Sequence, residues 1–341
     1  TMRSELGESP EVVERLLGEG AGEIAAVANA MRERQVDVAV VAARGTSDHA
    51  AIYAQYILGA RNGLLVAPSA PSLYSLYGAS PRLGSAVVIG ISQSGRSPDV
   101  VSVLEQSRAQ GALTVAITNE RDSALAAVAD HLIELRAGAE LAVAATKTYL
   151  AEIAVLAMLS SALSGDGESA SDLRALPSAL RLALEEEPAI ARLATEWATE
   201  DGCAVIARGF HYATAREWAL KLKELARVLA DPYSAADFQH GPIALLEPGF
   251  AILAVATSGP ALSGMAEQLE RYRSGGARLL VLSDIPAMRD LGDGVAVPAV
   301  PEWLSPLVAI VPAQLYAYHL AKARGLDTET GRNLKKVTLT L

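Results

Sequence analysis

One cysteine in 341 residues excludes an internal disulfide. Cys203 opens the apolar run CAVIA, where a free thiol serves as a small core residue. Histidine is scarce as well: the five are scattered, and no HxxxH or CxxC pair marks a metal site. Aromatic residues make up 5% of the chain, too few for the usual β-sandwich core. Positive charge is in deficit, with 29 Lys and Arg against 39 Asp and Glu, a net charge of −10. That balance excludes a nucleic-acid or anionic-membrane surface, while leaving room for a few aimed donors around a small anion. No uninterrupted apolar run reaches the ~18 residues of a membrane span. No apolar signal core follows the basic residue of TMRSELGESP, so the expected location is the cytoplasm.

What is abundant is Ala, Leu and Val, 51% of residues being hydrophobic. Ser9 and Pro10 open a helical pattern through Val13, Leu16, Leu17, Ile24, Val27 and Met31, which Gly18, Gly20 and Gly22 divide. Short apolar runs then alternate with helical stretches: 37–42, 64–68, 86–91, 113–118 and 131–135, closed by a long helix over 145–163. Such alternation predicts βαβ units and a parallel sheet covered on both faces. The polar stretch SGDGESASD (164–172) is a break, and a helical connector interrupted by Pro177 and Pro188 leads to a second series at 203–207, 251–256, 278–283 and 294–298.

The two series are one repeat. VVAARGTSDHA (40–50) parallels AVIARGFHYAT (204–214), and ISQSG (91–95) parallels ATSG (256–259). Gly45 and Gly209 are offset by 209 − 45 = 164, and Gly95 and Gly259 by 259 − 95 = 164. The expected fold class is α/β, with two tandem doubly wound parallel-sheet domains produced by internal duplication. The expected organisation is an N-terminal helical segment (1–35), a first domain (36–165), a connector (166–200), a second domain (201–326) and a tail (327–341).

The stretch GISQSGRSP (90–98) follows a buried strand and opens a helix. A helix N-terminus presents free N–H groups and partial positive charge, which favour an anion. Ser92, Gln93, Ser94 and Ser97 add side-chain donors, and Gly95 permits close approach of the backbone. ARGTSDHA offers Thr46 and Ser47 in the same way. The competing explanation is that these hydroxyls only cap helices and turns. Neither loop is a Walker A sequence or a GxGxxG fingerprint, so a monophosphate on a small molecule fits better than a nucleotide. The second copy, TSGP, lacks the full hydroxyl set. In REWALKLKELARV (216–228), Glu217, Lys221 and Glu224 share one helical face, either as an exposed salt-bridge row or as acid–base groups. His240 precedes Gly-Pro, a place for a structural or a catalytic imidazole. Lys335 and Lys336 end a charged tail.

In order, RGTS, SQSGRSPD, VAATKTY, ALKLKE, QHGP and RNLKK resemble the sugar isomerase (SIS) domain family. The likeness is greatest to the isomerase half of glutamine–fructose-6-phosphate aminotransferase and to stand-alone glucosamine-6-phosphate deaminases. The resemblance implies Ser47, Ser92, Gln93, Ser94 and Ser97 around a sugar phosphate, with Thr46, the backbone at Val143 and Lys335 near the sugar. It implies Glu224 as the base moving a proton between C1 and C2, and His240, from the neighbouring subunit, assisting ring opening. Lys336 is implied as the tail lysine able to form a Schiff base, with Glu217 and Lys221 in support. It further implies a homodimer with shared active sites that acts on a small sugar phosphate without cofactor or metal. The chain departs from the synthases at AATK (144–147), where they have ASTK, at Arg44, where they have Cys, and in AADFQH, where a Gly-Glu pair precedes their His. No glutaminase domain with its Cys nucleophile is expected. The AATK form and the lack of that domain favour hydrolytic deamination of glucosamine 6-phosphate to fructose 6-phosphate and ammonia, while Arg44 and AADFQH leave the substituent on the sugar open. An isomerase or deglycase for another amino-sugar or fructosamine phosphate, or a non-catalytic sugar-phosphate sensor, are the alternatives.

Overall fold

Strands with no polar face must be covered on both sides, and the apolar runs of this chain are arranged accordingly. The computed structural model describes residues 1–330 together with Asn333 and Lys336. β1 (Val38–Ala42), β2 (Leu65–Pro68), β3 (Val87–Ile91), β4 (Leu113–Thr118) and β5 (His131–Glu134) form one sheet in the order β2-β1-β3-β4-β5. β6 (Gly202–Ala207), β7 (Leu229–Ser234), β8 (Ala251–Val255), β9 (Arg278–Ser283) and β10 (Asp293–Ala296) form a second in the order β7-β6-β8-β9-β10. Every pairing is parallel. The two orders are the same, so the expected pair of duplicated doubly wound α/β sheets is what the chain forms.

The sequence signals missed one strand. β7 reads LADPYS, whose Asp and Pro hide it from any apolar pattern. It is the counterpart of β2: Pro68 pairs with Val41 and Pro232 with Val205, and 232 − 68 equals 205 − 41, the repeat offset of 164. Both are edge strands, where a proline costs no ladder hydrogen bond and discourages further pairing.

The helices are α1 (Met2–Gly7), α2 (Ser9–Glu19), α3 (Ala21–Glu33), α4 (Thr46–Asn62), α5 (Pro71–Ser75), α6 (Pro98–Ala109), α7 (Ala124–Val128) and α8 (Lys147–Ser164). They continue with α9 (Gly167–Glu185), α10 (Glu187–Glu196), α11 (His211–Lys221), α12 (Ala235–Phe238), α13 (Leu262–Ser274), α14 (Pro286–Arg289) and α15 (Ser305–Ala323). The glycine-rich stretch divides α2 from α3 at Gly20, as its composition suggested. Pro188 starts α10, but Pro177 lies inside α9 and does not interrupt it.

The chain divides into two units. One contains residues 11–140 and 147–174 with the tail residue Lys336, and holds the first sheet. The other contains residues 1–10, 141–146 and 175–330 with Asn333, and holds the second. Within the first, Val40, Ala42, Val88 and Ala116 from the sheet pack with Val100, Val103, Leu104 and Leu125 from α6 and α7. Within the second, Ile206, Ile252, Ala254 and Val281 pack with Phe238, Met265, Leu269 and Tyr272. Each unit also has a helix that is buried all round: α8 from Lys147 to Ser161 and α15 from Ser305 to Ala317. The segment Glu302–Ala323 has the length and composition of a membrane span, yet 89% of its apolar window is buried inside the fold. Its hydropathy is that of a core helix.

α11 is fastened to α15 by Trp218, fully buried and edge-on to Tyr316 at 5.7 Å between ring centroids. Truncating such a ring leaves a cavity that close-packed neighbours only partly fill. Trp218→Ala is expected to lower the unfolding free energy by about 3–5 kcal/mol, read from urea denaturation.

Candidate functional site

In a doubly wound sheet the crevice lies beyond the C-terminal strand ends where the strand order reverses. In the first sheet that point is between β1 and β3, and both candidate anion loops leave from it. Gly45, at φ 58°, turns the chain so that α4 begins at Thr46. Ser47 is buried and its hydroxyl donates to Glu152 Oε1 on α8 at 2.7 Å. After β3, the N–H of Gly95 donates to Ser92 O at 3.1 Å and to Ser92 Oγ at 3.2 Å, and Arg96 N–H donates to Ser94 Oγ at 3.4 Å. Gln93 O accepts from Asn119 N at 3.1 Å and Thr118 Oγ1 at 3.2 Å, which fixes the loop to the end of β4. Gly95 sits at φ 59°, and a Cβ there would collide with Ser123 and Thr118. Glycine is therefore required both for the left-handed turn and for the close approach.

The capping explanation covers only part of the hydroxyl set. Ser92 and Ser94 do accept local N–H groups. Ser97 occupies the N-cap position of α6 but makes no capping hydrogen bond, so its hydroxyl is not spent on the helix it precedes.

Lys336 also belongs to this unit. Its Nζ lies 3.1 Å from Glu140 Oε2. Glu140 is buried and also accepts from the N–H and hydroxyl of Thr148, at 3.3 and 2.5 Å. Lys335 lies outside the described residues.

The second unit holds the acid–base candidates. α11 runs into a π-helical turn over Leu222–Ala226 that carries Glu224; such turns occur disproportionately at functional positions. Lys221 Nζ lies 3.2 Å from Glu217 Oε1 and 2.6 Å from Glu224 Oε2. Lys221 and Glu217 are fully buried, whereas the Glu224 side chain keeps 20% of its surface exposed. An exposed salt-bridge row is thus ruled out. Burial works against the Lys221 charge, but the two carboxylates outweigh it and hold the ammonium above its ordinary range. The result is a carboxylate aimed outward by a buried, permanently charged lysine.

His240 follows α12 and is exposed, its backbone N–H donating to Asp237 O at 2.9 Å. Val143 is half-buried in the strip 141–146. The carboxylate of Glu5 on α1, itself buried, accepts from the N–H groups of Leu141 and Ala142. Glu5, Glu140 and Glu152 therefore position predicted site residues or their loop without any sequence signal of their own. Their partners lie 136, 196 and 105 residues away.

The second sheet's own switch point is closed. Ser47 plus the offset of 164 gives His211, which is buried and bonded to Thr257 Oγ1 at 2.8 Å, Ser305 Oγ at 3.0 Å and Thr214 Oγ1 at 3.2 Å. Asp284 accepts from both the N–H and the hydroxyl of Ser258, filling donors a ligand would need. In the first copy, by contrast, Ser97 keeps a hydroxyl that the helix it precedes does not use.

The family profile described as the SIS domain matches residues 34–162 and again 200–324. The chain belongs to the SIS domain family. Glutamine–fructose-6-phosphate aminotransferase [isomerizing] of Methanothermobacter thermautotrophicus is 35% identical over 341 residues, covering 98% of this SIS chain and 56% of that protein. Its counterpart in Gloeobacter violaceus is 34% identical, covering 98% of the chain and 58% of that protein. The chain thus spans a little over half the length of these relatives. A solved structure from Silicibacter pomeroyi DSS-3, provisionally assigned as a phosphosugar isomerase, has a TM-score of 0.88 at 34% identity, covering 96% of this chain and 99% of that one. Glucosamine-6-phosphate deaminase of Thermotoga maritima shares the fold, with a TM-score of 0.79 at 19% identity over 99% of each chain.

Two outcomes follow for the SIS chain. Lys221→Met leaves the Glu217 carboxylate buried without its cation and is expected to cost about 3–5 kcal/mol in urea unfolding, much of it recovered in Glu217→Gln/Lys221→Met. Burial depresses the His211 imidazole to about 4, Asp284 opposing only in part. The unfolded chain takes up a proton near 6.5 and the folded one does not, so this contribution is complete above that pH and lost as pH falls towards 4. Thermal unfolding is expected to show that loss in the wild type and a flatter profile in His211→Asn.

Proposed function

We propose that the protein is an enzyme that hydrolyses glucosamine 6-phosphate to fructose 6-phosphate and ammonia. The observation that carries this reading is Glu224, presented from the π-helical turn by buried Lys221. Sugar-phosphate binding alone needs the anion loops but not an oriented, partly exposed carboxylate with its own buried cation. Ser47, Ser92, Gln93, Ser94 and Ser97 serve the phosphate, and Thr46, Val143 and Lys335 the sugar. Glu217 and Lys221 support Glu224.

The chemistry is proton transfer followed by imine hydrolysis. His240 assists ring opening. Glu224 removes the C2 proton of the open aldose and returns a proton to C1, through an enolamine, so that one carboxylate serves both carbons. The product is a C2 imine. Water adds to that carbon, the nitrogen leaves as ammonia, and the C2 carbonyl of the ketose remains. Lys336, held by Glu140, is the amine able to condense with an open-chain carbonyl. Binding energy from the phosphate end is used to orient the reacting carbons.

Exposure of His240 within its own chain supports a homodimer in which that residue serves the partner's site. A cytoplasmic enzyme is the matching location. The second reading is phosphosugar aldose–ketose isomerisation without loss of nitrogen, which the 34–35% identity to the proteins named above supports. Ala145, in place of the synthase serine, favours the deaminase.

The deciding assay measures ammonia and fructose 6-phosphate released from glucosamine 6-phosphate. Wild type is expected to release both in equal amounts, and Glu224→Gln to lose about 10²–10⁴-fold in kcat with KM little changed. Ketose formation without ammonia supports the isomerase instead. An unimpaired Glu224→Gln variant overturns the assigned base.

A further inference from the structure

Arg44 has no role in the chemistry above, yet it stands between the two anion loops. It directly precedes Gly45, Thr46 and Ser47, and its Nε donates to Asp99 Oδ2 at 2.7 Å. Asp99 lies two residues beyond Ser97, in the first turn of α6, and its other oxygen accepts the N–H of Val100 at 2.9 Å. The pair is lopsided: Asp99 is fully buried, whereas the Arg44 side chain is 46% exposed. Asp99 thus pins one edge of the guanidinium of a side chain that is partly exposed, and no other hydrogen bond or ion pair is made by Arg44 among the described residues.

A guanidinium fixed through Nε leaves its two terminal nitrogens as a planar fork, the geometry that chelates a phosphoryl group. In a protein of net charge −10, a permanent cation at the mouth of these loops discriminates a charged phosphoryl group from a hydroxyl. The loop hydroxyls and N–H groups, being neutral, do so less sharply. We propose that Arg44 is a specificity-determining residue that binds the phosphoryl group through its terminal nitrogens, with Asp99 as its positioning partner. The proposal rests on the sugar-phosphate reading above and adds to it a charged donor.

Arg44 could instead serve only to neutralise the buried Asp99. The double variant Arg44→Met/Asp99→Asn separates the two roles, because it removes the guanidinium and the need for it together while leaving net charge unchanged. Isothermal titration of the full chain with fructose 6-phosphate, inorganic phosphate and unphosphorylated fructose reads the outcome. Both Arg44→Met and the double variant are expected to bind fructose 6-phosphate and phosphate about tenfold or more weakly, the usual size of a lost charge-assisted hydrogen bond. The fructose titration is expected to be unaltered. A double variant that binds like wild type, or an Arg44→Met variant with undiminished affinity, overturns the proposal. Wild type that binds phosphate through Arg44 but not the sugar phosphate overturns the sugar-phosphate reading and leaves the arginine's role standing. Binding of neither anion overturns both.

Discussion

A parallel strand can return to its sheet only by a crossover, and the direction of winding has to reverse somewhere if both faces are to be covered. That constraint decides where the candidate crevices of this protein lie. At the reversal, the segments leaving two neighbouring strands turn to opposite faces and leave a gap beyond the strand ends. The chain meets this situation twice, between β1 and β3 and between β6 and β8. The two gaps have diverged. Around the first are Thr46, Ser47 and the Ser92–Ser97 loop, set by glycines at 45 and 95. Around the second, His211, Thr257 and Ser305 satisfy one another, and Asp284 occupies the Ser258 donors.

The cluster of buried Glu217 and Lys221 with the partly exposed Glu224 is an expensive arrangement by the usual accounting. Taking three charges from water is repaid only if geometry is good, and an apolar replacement often does as well. What the charges provide is direction. Lys221 has no freedom to search for another partner, so Glu224 is held on its exposed side in one orientation. The opposite arrangement prevails at Lys336, a half-exposed cation on a fully buried carboxylate. In both places a buried charge fixes a more exposed group of opposite sign, and the exposed group is the one that can meet a substrate.

Much of this was legible from residue patterns, for identifiable reasons. Fully buried strands advertise themselves as apolar runs, and β1, β3, β4, β8 and β9 were readable on that basis. β7 was not, because an edge strand needs few apolar residues and tolerates Pro232; only the 164-residue offset from β2 reveals it. The two candidate anion loops stood out in the sequence because glycines and clustered hydroxyls lie between an apolar run and a helix start in both. Whether the Glu217–Lys221–Glu224 row was surface or interior was not, since i,i+4 spacing is the same for both and burial depends on α15 lying alongside. Glu5 and Glu140 carried no local signal at all, and Asp99 was legible only as a residue of the SQSGRSPD motif, not as a partner of Arg44. Each acquires its role from a partner brought up by the fold, and such partners are invisible to spacing.

The π-helical turn at Leu222–Ala226 also bears on how tolerant the candidate acid–base group is of change. A π turn is an α-helix holding one residue too many, kept because neighbours on both sides are already locked. Here Trp218 fixes the helix before it, and the left-handed Arg227 (φ 57°) fixes the chain after it. Removing a single residue from the turn would let the helix return to its regular pitch with the chain on either side kept in place, and a side chain on the turn itself would be displaced by up to about 100°, one residue's worth of rotation. The Glu224 carboxylate is thus indexed by chain length as well as by chemistry: deleting Leu222 or Lys223 would aim it elsewhere although the carboxylate and Lys221 are both still present.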